Sequence, residues 1–383
     1  RFRYNRACNG KFEVSFDKKD CHMKRKTRVG LLTSGGDCQG LNAAIRGVGK
    51  TLFQYVDNIE IFGMYDGYRG LIENDHQFMR PQDFSGIIST GGTILGTSRQ
   101  PFIPGKAIVD KDGNDVMPSM LDTYNRLNLD CLVVLGGNGT QKSAKLLQDA
   151  GMNIITLPKT IDNDIYGTDE TFGFQSAADI ATNVIDYIHT TALAHSRIFM
   201  VEVMGRDAGW LTLYSGIAGG ADVILIPEIP YDIQSIAQTI ERRKRGGRTF
   251  SIIAVAEGAI SKEDKVLSEE ERRRVKDANP YSTISYQIAA QLKELTGQEA
   301  RVTVPGHYQR GGQACPYDRV LATRFGVAAA RLIMEQKYGY MVGIQEGNIV
   351  HVPLEEAASQ TKFLPTDHPL IQTARDTGTG FGD

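Results

Sequence analysis

Short apolar runs alternate with helical stretches along the first part of the chain. Four of these runs have the length typical of strands that are buried on both faces: residues 28–33, 59–65, 131–135 and 153–157. Helical stretches follow the first and third runs, from about residue 40 to 56 and from the next glycine turn to residue 150. The pattern predicts repeated βα units.

The same alternation continues through the second part of the chain. A long helical stretch covers residues 171–194. Further strands are predicted at residues 197–203, 223–226, 250–256 and 301–304. Further helices are predicted in three places: one that ends at residue 218, one near residues 233–244 and one near residues 317–337. Successive βα units of this length predict a parallel, doubly wound sheet, in which ligands bind beyond the carboxyl ends of the strands.

Glycine-rich turns stand close to these strands. Ser34–Asp37 and Gly136–Thr140 each follow a strand and lead into a helix. The N–H groups and dipole of a helix N-terminus attract anions, and glycine lets a phosphate approach the backbone. Gly91–Arg99 adds hydroxyls and a guanidinium, which suits a phosphoryl group. Each turn alone is weak evidence, because ordinary αβ turns also need glycine.

The stretch Pro158–Asp164 combines several reactive groups. Asp162 and Asp164 stand two residues apart, with Lys159 and Thr160 just ahead of them. Residues two apart on an extended segment project to the same side, so both carboxylates can face one pocket. Buried carboxylates need a metal, a cation or a polar substrate. The alternative is a loop in which Asp and Asn make turns.

Composition and charge exclude several classes of function. The 383 residues suffice for two lobes, and a net charge of −2 gives no global attraction to nucleic acid or to anionic membranes. No apolar run approaches the roughly 20 residues that span a bilayer. The five cysteines are odd in number and lack CxxC spacing, which argues against a disulfide framework or zinc site and favours a cytoplasmic setting.

In this order and spacing, the motifs TSGGD, GGTILGTSR, GGNGT, PKTIDND, VEVMGR, AEG and GHYQRGG strongly resemble those of 6-phosphofructokinases. The resemblance covers about residues 28–340. It implies an α/β fold of two similar three-layer αβα lobes with mainly parallel sheets and the active site in the cleft between them. The implied reaction is phosphoryl transfer to the 1-hydroxyl of fructose 6-phosphate, with Mg²⁺ as cofactor.

The resemblance also divides the chain. It implies a donor-phosphate lobe of residues 28–173 and 309–345 and a fructose 6-phosphate lobe of residues 174–308. Residues 346–383 are expected to form a C-terminal extension. We expect residues 1–27 to be an N-terminal appendage, because Met23 before a basic stretch looks like a natural start.

Individual roles follow from the resemblance. The catalytic set is Lys159, Thr160, Asp162, Arg206 and Arg99, with Asp162 as the base for the sugar hydroxyl and Arg206 stabilising charge in the transition state. Asn138 and Asp162 are the metal candidates. The implied donor-binding residues are Gly36, Arg99, Gly137, Asn138, Gly139 and Thr140. The implied sugar-phosphate residues are Thr160, Asp162, Asp164, Arg197, Met204, Gly205, Arg206, Glu257, Arg301, His307 and Arg310.

Two of these residues imply an oligomer. Arg197 and Arg301 match arginines that the family supplies from a neighbouring subunit to the 6-phosphate. An isolated subunit would then lack half of its sugar-phosphate clamp. We expect a homo-oligomer, with a tetramer favoured over a dimer.

The sequence departs from the family pattern at the donor site. Asn138 replaces the aspartate that usually serves magnesium, which predicts weaker metal binding rather than loss of activity. Gly139 matches ATP-using members, because it leaves room for the nucleotide, whereas Lys159 matches pyrophosphate users. We expect ATP as the donor, because room for the nucleotide is the stricter steric requirement.

The effector region also departs from the bacterial pattern. Arg46 and Lys50 keep basic character and Asp222 keeps an acid at the matching positions. His189 and Gly246 stand where bacterial allosteric members carry basic residues. The expected consequence is a weakened or different response to nucleotide effectors.

Three other functions remain as alternatives. The first is a pyrophosphate-dependent enzyme that catalyses the same transfer. The second is a catalytically silent regulatory subunit, which only Asn138 supports and which would not need the base Asp162. The third is a nicotinamide-dependent oxidoreductase, but the chain lacks GxGxxG and the acidic ribose residue that follows it.

Overall fold

The computed structural model describes residues 26–103 and 105–383. The N-terminal appendage expected over residues 1–27 lies outside these ranges except for its last two residues. Of those two, Thr27 already begins the first strand. Cys8 and Cys21 also lie outside the described residues.

Strands and helices alternate through most of the chain. The strands are β1 (Thr27–Thr33), β2 (Ile59–Met64), β3 (His76–Met79), β4 (Phe102–Ile103), β5 (Ala107–Ile108), β6 (Cys131–Gly136), β7 (Ile154–Thr160), β8 (Phe172–Gly173), β9 (Ile198–Val203), β10 (Val223–Leu225), β11 (Ser251–Ala256), β12 (Ala300–Thr303), β13 (Tyr340–Gln345) and β14 (Asn348–Pro353). The helices are α1 (Leu41–Tyr55), α2 (Tyr68–Glu73), α3 (Met117–Arg126), α4 (Asn138–Asp149), α5 (Phe174–Ala192), α6 (Trp210–Ala218), α7 (Ile233–Arg245), α8 (Lys262–Lys265), α9 (Glu269–Ala278), α10 (Ile284–Thr296), α11 (Pro316–Met334), α12 (Leu354–Ser359) and α13 (Pro369–Asp376). Short 3₁₀ turns cover Pro81–Phe84, Ile87–Ser89 and Gly306–Arg310.

The larger sheet has the strand order β3-β2-β1-β6-β7-β13-β14, with β8 paired to the end of β7. Its five central strands run parallel, and β3 and β14 pair antiparallel at the edges. Side chains of β1 alternate between two hydrophobic clusters: Leu31 packs on one face and Leu32 on the other. Helices cover both faces, which explains why the central strands are continuous apolar runs.

The smaller sheet is parallel throughout, in the order β10-β11-β9-β12. On β9, Met200 packs with residues of α7 and α10, whereas Val201 packs on the face covered by α5 and α6. This cluster around Val201 is continuous with the core of the larger sheet. The two lobes therefore share one hydrophobic core, and α5 and α11 lie where they meet.

Close packing of α11 against α1 fixes the return of the chain to the first lobe. A Cβ at Gly47 would lie 2.8 Å from the Thr323 carbonyl oxygen, and one at Gly326 would collide with the Ala44 carbonyl. Two glycines that face each other let the helix backbones approach closely. The predicted return of the helix near residues 317–337 is confirmed.

Residues 346–383 are built into both sheets. β13 and β14 form a hairpin on the edge of the larger sheet, so the expected boundary at residue 346 falls within its turn. Farther along the chain, Gly380 pairs in parallel with Val223 of β10. Phe381 is fully buried beside it. The expected extension is thus packed into the fold of both lobes.

The predicted α/β class with mainly parallel sheets is confirmed. The lobes differ in size: the larger sheet has eight strands and the smaller has four, and antiparallel edge strands, β3 and β14, occur in the larger sheet among the described residues. In the part of the chain that the structure describes, no helix is long and apolar enough to cross a membrane.

Candidate active site

The site lies where three neighbouring parallel strands of the larger sheet end. β1, β6 and β7 are adjacent and run in the same direction, so the turns that follow them meet at one edge. The Ser34 N–H donates to the Leu135 carbonyl at 2.9 Å, which joins the first two turns. The Gly35 N–H donates to the Ser98 carbonyl at 3.0 Å and brings in the loop that carries Arg99.

Lys159 is buried between these turns. Its ammonium donates to the carbonyl of Gly36, and a Cβ at Gly35 would lie 3.3 Å from Nζ. Gly35 has φ +85°, a conformation that glycine adopts without strain. Burial lowers the pKa of Lys159, and the nearby Arg310 guanidinium lowers it further. The lysine therefore places a cation beside the glycine turn expected to meet the donor phosphates.

Asp162 is half-buried just beyond the end of β7. Its Oδ1 is buried and has no hydrogen-bond partner among the described residues. Burial, and to a smaller extent the Asp164 carboxylate, raise the pKa of Asp162 to about 7, although Arg310 and Lys159 act in the opposite direction. A carboxylate with a pKa near neutrality and a free oxygen can accept a proton from a bound alcohol.

Asn138 and Asp164 form a direct hydrogen bond. The Asn138 Nδ2 donates to Asp164 Oδ2 at 2.7 Å and to the Asp164 carbonyl at 3.1 Å. Burial raises the pKa of Asp164, Asp207 adds to the rise, and the Asn138 amide lowers it. The Asn138 Oδ1 is buried without a described partner. The Asn138 nitrogen therefore positions Asp164, and the Asn138 oxygen remains available as a ligand or hydrogen-bond acceptor.

The loop that carries the two carboxylates is held by its own asparagine. Asn163 adopts a left-handed φ of +51°, which Asn tolerates better than most residues. Its Oδ1 accepts from the Thr171 N–H at 3.1 Å and its Nδ2 donates to the Asp169 carbonyl at 3.2 Å. The Thr160 Oγ1 accepts from the Asp162 N–H at 3.1 Å.

The second lobe faces this loop with the turn after β9. Gly205 has φ +135°, and a Cβ at Gly258 would collide with the Arg206 carbonyl, so two glycine backbones shape the turn. The Arg206 side chain is 83% exposed. Glu257 follows β11, where its N–H donates to the Val203 carbonyl at 2.9 Å. Met204, Gly205, Arg206 and Glu257 therefore lie together at the end of the smaller sheet.

A pair of buried glutamines connects the lobes here. The Gln39 Nε2 donates to the carbonyls of Gln309 and Gly311 at 3.0 and 2.8 Å. In turn, Gln309 Oε1 accepts from the Met204 N–H at 3.2 Å. Neither side chain was among the predicted site residues, although Gln309 stands within the GHYQRGG motif and Gln39 follows TSGGD.

His307 and Arg310 flank this connection. His307 is exposed, whereas Arg310 lies against the glycine turn, where its guanidinium donates to the Asp37 carbonyl at 3.0 Å. A Cβ at Gly36 would collide with that guanidinium. Arg310, expected at the sugar phosphate, thus lies between Gly36 and Asp162 in this structure.

The remaining donor residues line the start of α4. Gly137, Asn138, Gly139 and Thr140 form its first turn, and a Cβ at Gly139 would lie 3.5 Å from the ring of Phe102. Arg99 is exposed and directly follows Thr97 and Ser98 in the loop that is bonded to Gly35. The helix N-terminus directs its free N–H groups outward, as an anion site requires.

Arg197 and Arg301 lie away from these turns but next to each other. Arg197 Nε contacts Glu299 Oε2 at 2.7 Å, and Arg301 contacts Glu299 Oε1 at 2.6 Å. One carboxylate therefore holds both guanidinium groups at one surface. Their predicted contact with a neighbouring subunit remains a prediction.

The residues of the effector region also find local partners. Lys50 donates to Ser85 Oγ at 3.1 Å, and Asp222 is paired with Arg243 at 2.7 Å. The His189 Nε2 lies 2.8 Å from the Gly219 carbonyl. Arg46 is half-buried on α1, and Gly246 is exposed at the end of α7. The altered effector response remains a prediction.

Among residues 26–103 and 105–383, no group of three or more His, Cys, Asp or Glu side chains could hold a metal ion alone. The free oxygens of Asn138 and Asp162 fit a magnesium ion that takes most of its ligands from phosphates and water, which is the ordinary habit of this ion.

Comparison with known proteins gives a consistent result. A family model described as phosphofructokinase matches residues 28–333. A Spirochaeta thermophila protein named ATP-dependent 6-phosphofructokinase is 56% identical over 365 residues, which cover 94% of this chain and 100% of that protein. A Propionibacterium freudenreichii protein of the same name is 48% identical, with 93% and 99% covered.

Crystal structures of similar fold are also known. Pichia pastoris phosphofructokinase in the T-state matches with a TM-score of 0.75 and 34% identity over 88% of this chain, which spans only 36% of the Pichia chain. A pyrophosphate-dependent phosphofructokinase from Marinobacter aquaeolei matches with a TM-score of 0.73 at 24% identity, over 93% of this chain and 88% of that one. The second likeness is evidence of fold alone.

Proposed function

The chain belongs to the phosphofructokinase family, and we propose that it transfers a phosphoryl group from ATP to the 1-hydroxyl of fructose 6-phosphate. The products are fructose 1,6-bisphosphate and ADP. The observation that carries this proposal is Asp162, a carboxylate with a free buried oxygen near two cations, Lys159 and Arg310, at the edge where the glycine turns meet. Phosphoryl transfer needs an oriented nucleophile and neutralised charge, and these groups supply both.

Asp162 acts as the base. With a pKa of about 7, it is substantially ionised at neutral pH and still basic enough to take the proton of the sugar hydroxyl. Its N–H is bonded to Thr160 Oγ1, which limits the motion of the loop around it. Asp164, held by the Asn138 amide, orients the sugar on the same side of the strand end.

Glycines and cations bind the donor phosphates. Gly36 lets them approach the backbone, and the first turn of α4, with Gly137 and Thr140, presents N–H groups to them. Lys159 provides the buried ammonium, and Arg99 and Arg206, both exposed, provide guanidinium forks for the transferring group. Charge that develops in the transition state is then met by donors already in place.

ATP is favoured over pyrophosphate as the donor. A side chain at Gly139 would extend from a point 3.5 Å from Phe102 into the space beside the donor turn, and glycine leaves that space open. The relatives named ATP-dependent 6-phosphofructokinase support this choice. Lys159 is compatible with ATP, because its ammonium is bonded to the Gly36 carbonyl.

Magnesium is the expected cofactor. Asn138 Oδ1 would hold it, together with donor phosphates and water; Asp162, the other metal candidate, acts as the base in this proposal. When bound, the ion neutralises phosphate charge during the transfer. A single neutral protein oxygen makes weak binding of free magnesium the expected property.

The sugar phosphate occupies the opposite lobe. We assign Met204, Gly205, Glu257 and His307 to the sugar phosphate; of these, Glu257 is near enough to Asp162 to raise its pKa. Arg197 and Arg301 both contact the Glu299 carboxylate, so the two guanidinium groups could reach the 6-phosphate in the site of a neighbouring subunit together. The active form is therefore a homo-oligomer, with a tetramer favoured over a dimer. The chemistry of the substrates and the scattered cysteines favour a cytoplasmic location.

The experiment is product identification with a matched pair of variants. The purified protein should convert ATP and fructose 6-phosphate to equal amounts of ADP and fructose 1,6-bisphosphate. Asp162→Ser should lower turnover by about three powers of ten and leave the Kd for fructose 6-phosphate within a few-fold. Asp57→Ser, in an exposed turn, is the control. Turnover by Asp162→Ser comparable with that of the control would remove Asp162 from the role of base.

A further inference from the structure

A segment near the C-terminus, residues 361–364, contacts the loop that carries the two carboxylates. We call these four residues the strap; they lie beyond the residues matched by the family model. Thr361 forms an antiparallel bridge with Ile165, and the Lys362 N–H donates to the Asp164 carbonyl at 2.8 Å. The strap thus pairs with the chain directly after the base.

The same four residues contact the second lobe. The Trp210 Nε1 donates to the Lys362 carbonyl at 3.0 Å, and the Leu364 N–H donates to Glu228 Oε1 at 3.0 Å. Glu228 also accepts from the Gly209 N–H at 3.0 Å. Gly209 and Trp210 begin α6, directly after the turn that carries Met204 to Arg206. Main-chain groups of the strap are therefore bonded to both sides of the cleft.

The Lys362 side chain adds a third attachment. Its ammonium donates to the carbonyls of Thr168 and Asp169 at 2.9 and 2.8 Å, and it lies over the Trp210 ring at 5.4 Å. These carbonyls belong to the far end of the carboxylate loop. Hydrogen bonds from a charged donor are stronger than neutral ones, and a cation over an indole is attracted to its face.

Lys362 therefore spans the carboxylate loop from Asp164 to Asp169 and ties it to Trp210. We propose that Lys362 is a positioning residue: it holds the Asp162–Asp164 loop against the start of α6, so that the base and the sugar-binding turn keep their relative positions. This inference rests on the proposed function for its catalytic consequence. The bonds of the Lys362 ammonium are to the carboxylate loop and to Trp210, so its proposed action on the reaction is through these groups.

The expected effect is selective. The Lys362 ammonium acts on the far end of the carboxylate loop and on Trp210. The donor turn is joined to that loop by the Asn138–Asp164 hydrogen bond, which loss of the ammonium leaves in place. Loss of the ammonium should therefore lower kcat/KM for fructose 6-phosphate and leave the KM for ATP nearly unchanged. A general loss of stability would reduce the amount of active enzyme and would not separate the two substrates.

The test uses two changes at Lys362 and a matched lysine. Lys362→Met keeps the aliphatic stem and should lower kcat/KM for fructose 6-phosphate about 10- to 100-fold, with the KM for ATP within about twofold. Lys362→Arg keeps a charged donor and should restore most of the loss. Lys293→Met, an exposed site on α10, is the control. Two results would overturn the proposal: a kcat/KM for fructose 6-phosphate in Lys362→Met equal to that of the wild type, or a rise in the KM for ATP as large as the fall in that kcat/KM.

A second readout does not depend on activity. Amide hydrogen exchange in the full-length protein should be about tenfold faster in Lys362→Met across residues 163–171 and 209–213, and unchanged in Lys293→Met. Trp210→Phe, which removes the indole donor, should speed exchange in the same two segments. Unchanged exchange in both variants would overturn the positioning role even if the wild-type enzyme proved inactive with ATP. Inactivity with faster exchange would instead refute the proposed function alone.

Discussion

Replacing the base by its neutral isostere should make the protein more stable while abolishing its activity. Asp162 has a pKa of about 7 in the folded protein, against a usual value of 3.8, because burial and the Asp164 carboxylate disfavour its charge. Asp162→Asn keeps the shape of the side chain and removes that charge. We expect turnover to fall about a thousandfold, since an amide cannot accept the proton.

The size of the gain follows from proton binding. Below pH 3.8 the carboxyl is protonated in both the folded and the unfolded chain, and it contributes fully to stability. As pH rises from 3.8 towards 7, the unfolded chain loses the proton first, so the wild-type protein loses stability at about 1.4 kcal/mol per pH unit. Above pH 7 both states are ionised and the loss is complete, at most about 4 kcal/mol. Asparagine does not titrate and escapes this loss.

The assay compares wild type and Asp162→Asn by thermal unfolding at pH 8.5 and pH 6. At pH 8.5 the variant should unfold up to about 5 °C higher, given the unfolding entropy of a chain of this length. At pH 6 the advantage should be smaller by about 1.4 kcal/mol. Asp57→Asn is the control and should show neither effect. Equal stability of wild type and variant at pH 8.5, or a stability advantage that does not depend on pH, would refute the reasoning that the folded protein raises the pKa of Asp162.

Further predictions concern the pH profile, the metal and the neighbouring subunit. The kcat/KM for fructose 6-phosphate should rise with pH and level off above about 7, because Asp162 must be ionised; a flat profile between pH 6 and 8 would argue against it as the base. Asn138→Asp places a second carboxylate against Asp164 Oδ2, now 2.7 Å from the Asn138 amide, and should make turnover more dependent on magnesium concentration; an unchanged magnesium titration would show that position 138 does not touch the metal. Arg301→Ala should raise the KM for fructose 6-phosphate at least about tenfold with the KM for ATP unaffected, whereas Glu299→Gln, which leaves both arginines, should change it little; similar effects of the two variants would place Arg301 outside the site.

The strands and the strand-end motifs could be predicted because local sequence carries them. A strand buried on both faces must be apolar along its length, as in β1 and β6, and a parallel sheet brings the turns after its strands to one edge. The grouping of Gly36, Asn138 and Asp162 follows from that topology. The identity of Asp162 as base came from the family resemblance, and its raised pKa agrees with that role.

The rest depended on contacts between distant residues. Nothing in the sequence around Lys362 indicates that it meets Asp164 and Trp210, since that contact arises only when residues 346–383 pack across both lobes. β14 lacked the continuous apolar pattern, because an edge strand buries only part of its surface. The amide bond from Asn138 to Asp164 depends on the spacing of two separate turns and could be seen only in the folded structure.

The central claim is ATP-dependent phosphorylation of fructose 6-phosphate, and the most direct test is a comparison of donors. Initial rates are measured with fructose 6-phosphate and magnesium, once with ATP and once with pyrophosphate. Turnover with ATP alone is the predicted result and means that the open space at Gly139 sets the donor. Turnover with pyrophosphate alone would contradict the account and assign the choice to Lys159. No turnover with either donor would contradict the account in full. It would favour the catalytically silent regulatory subunit, with Asn138 as the reason for the lost activity.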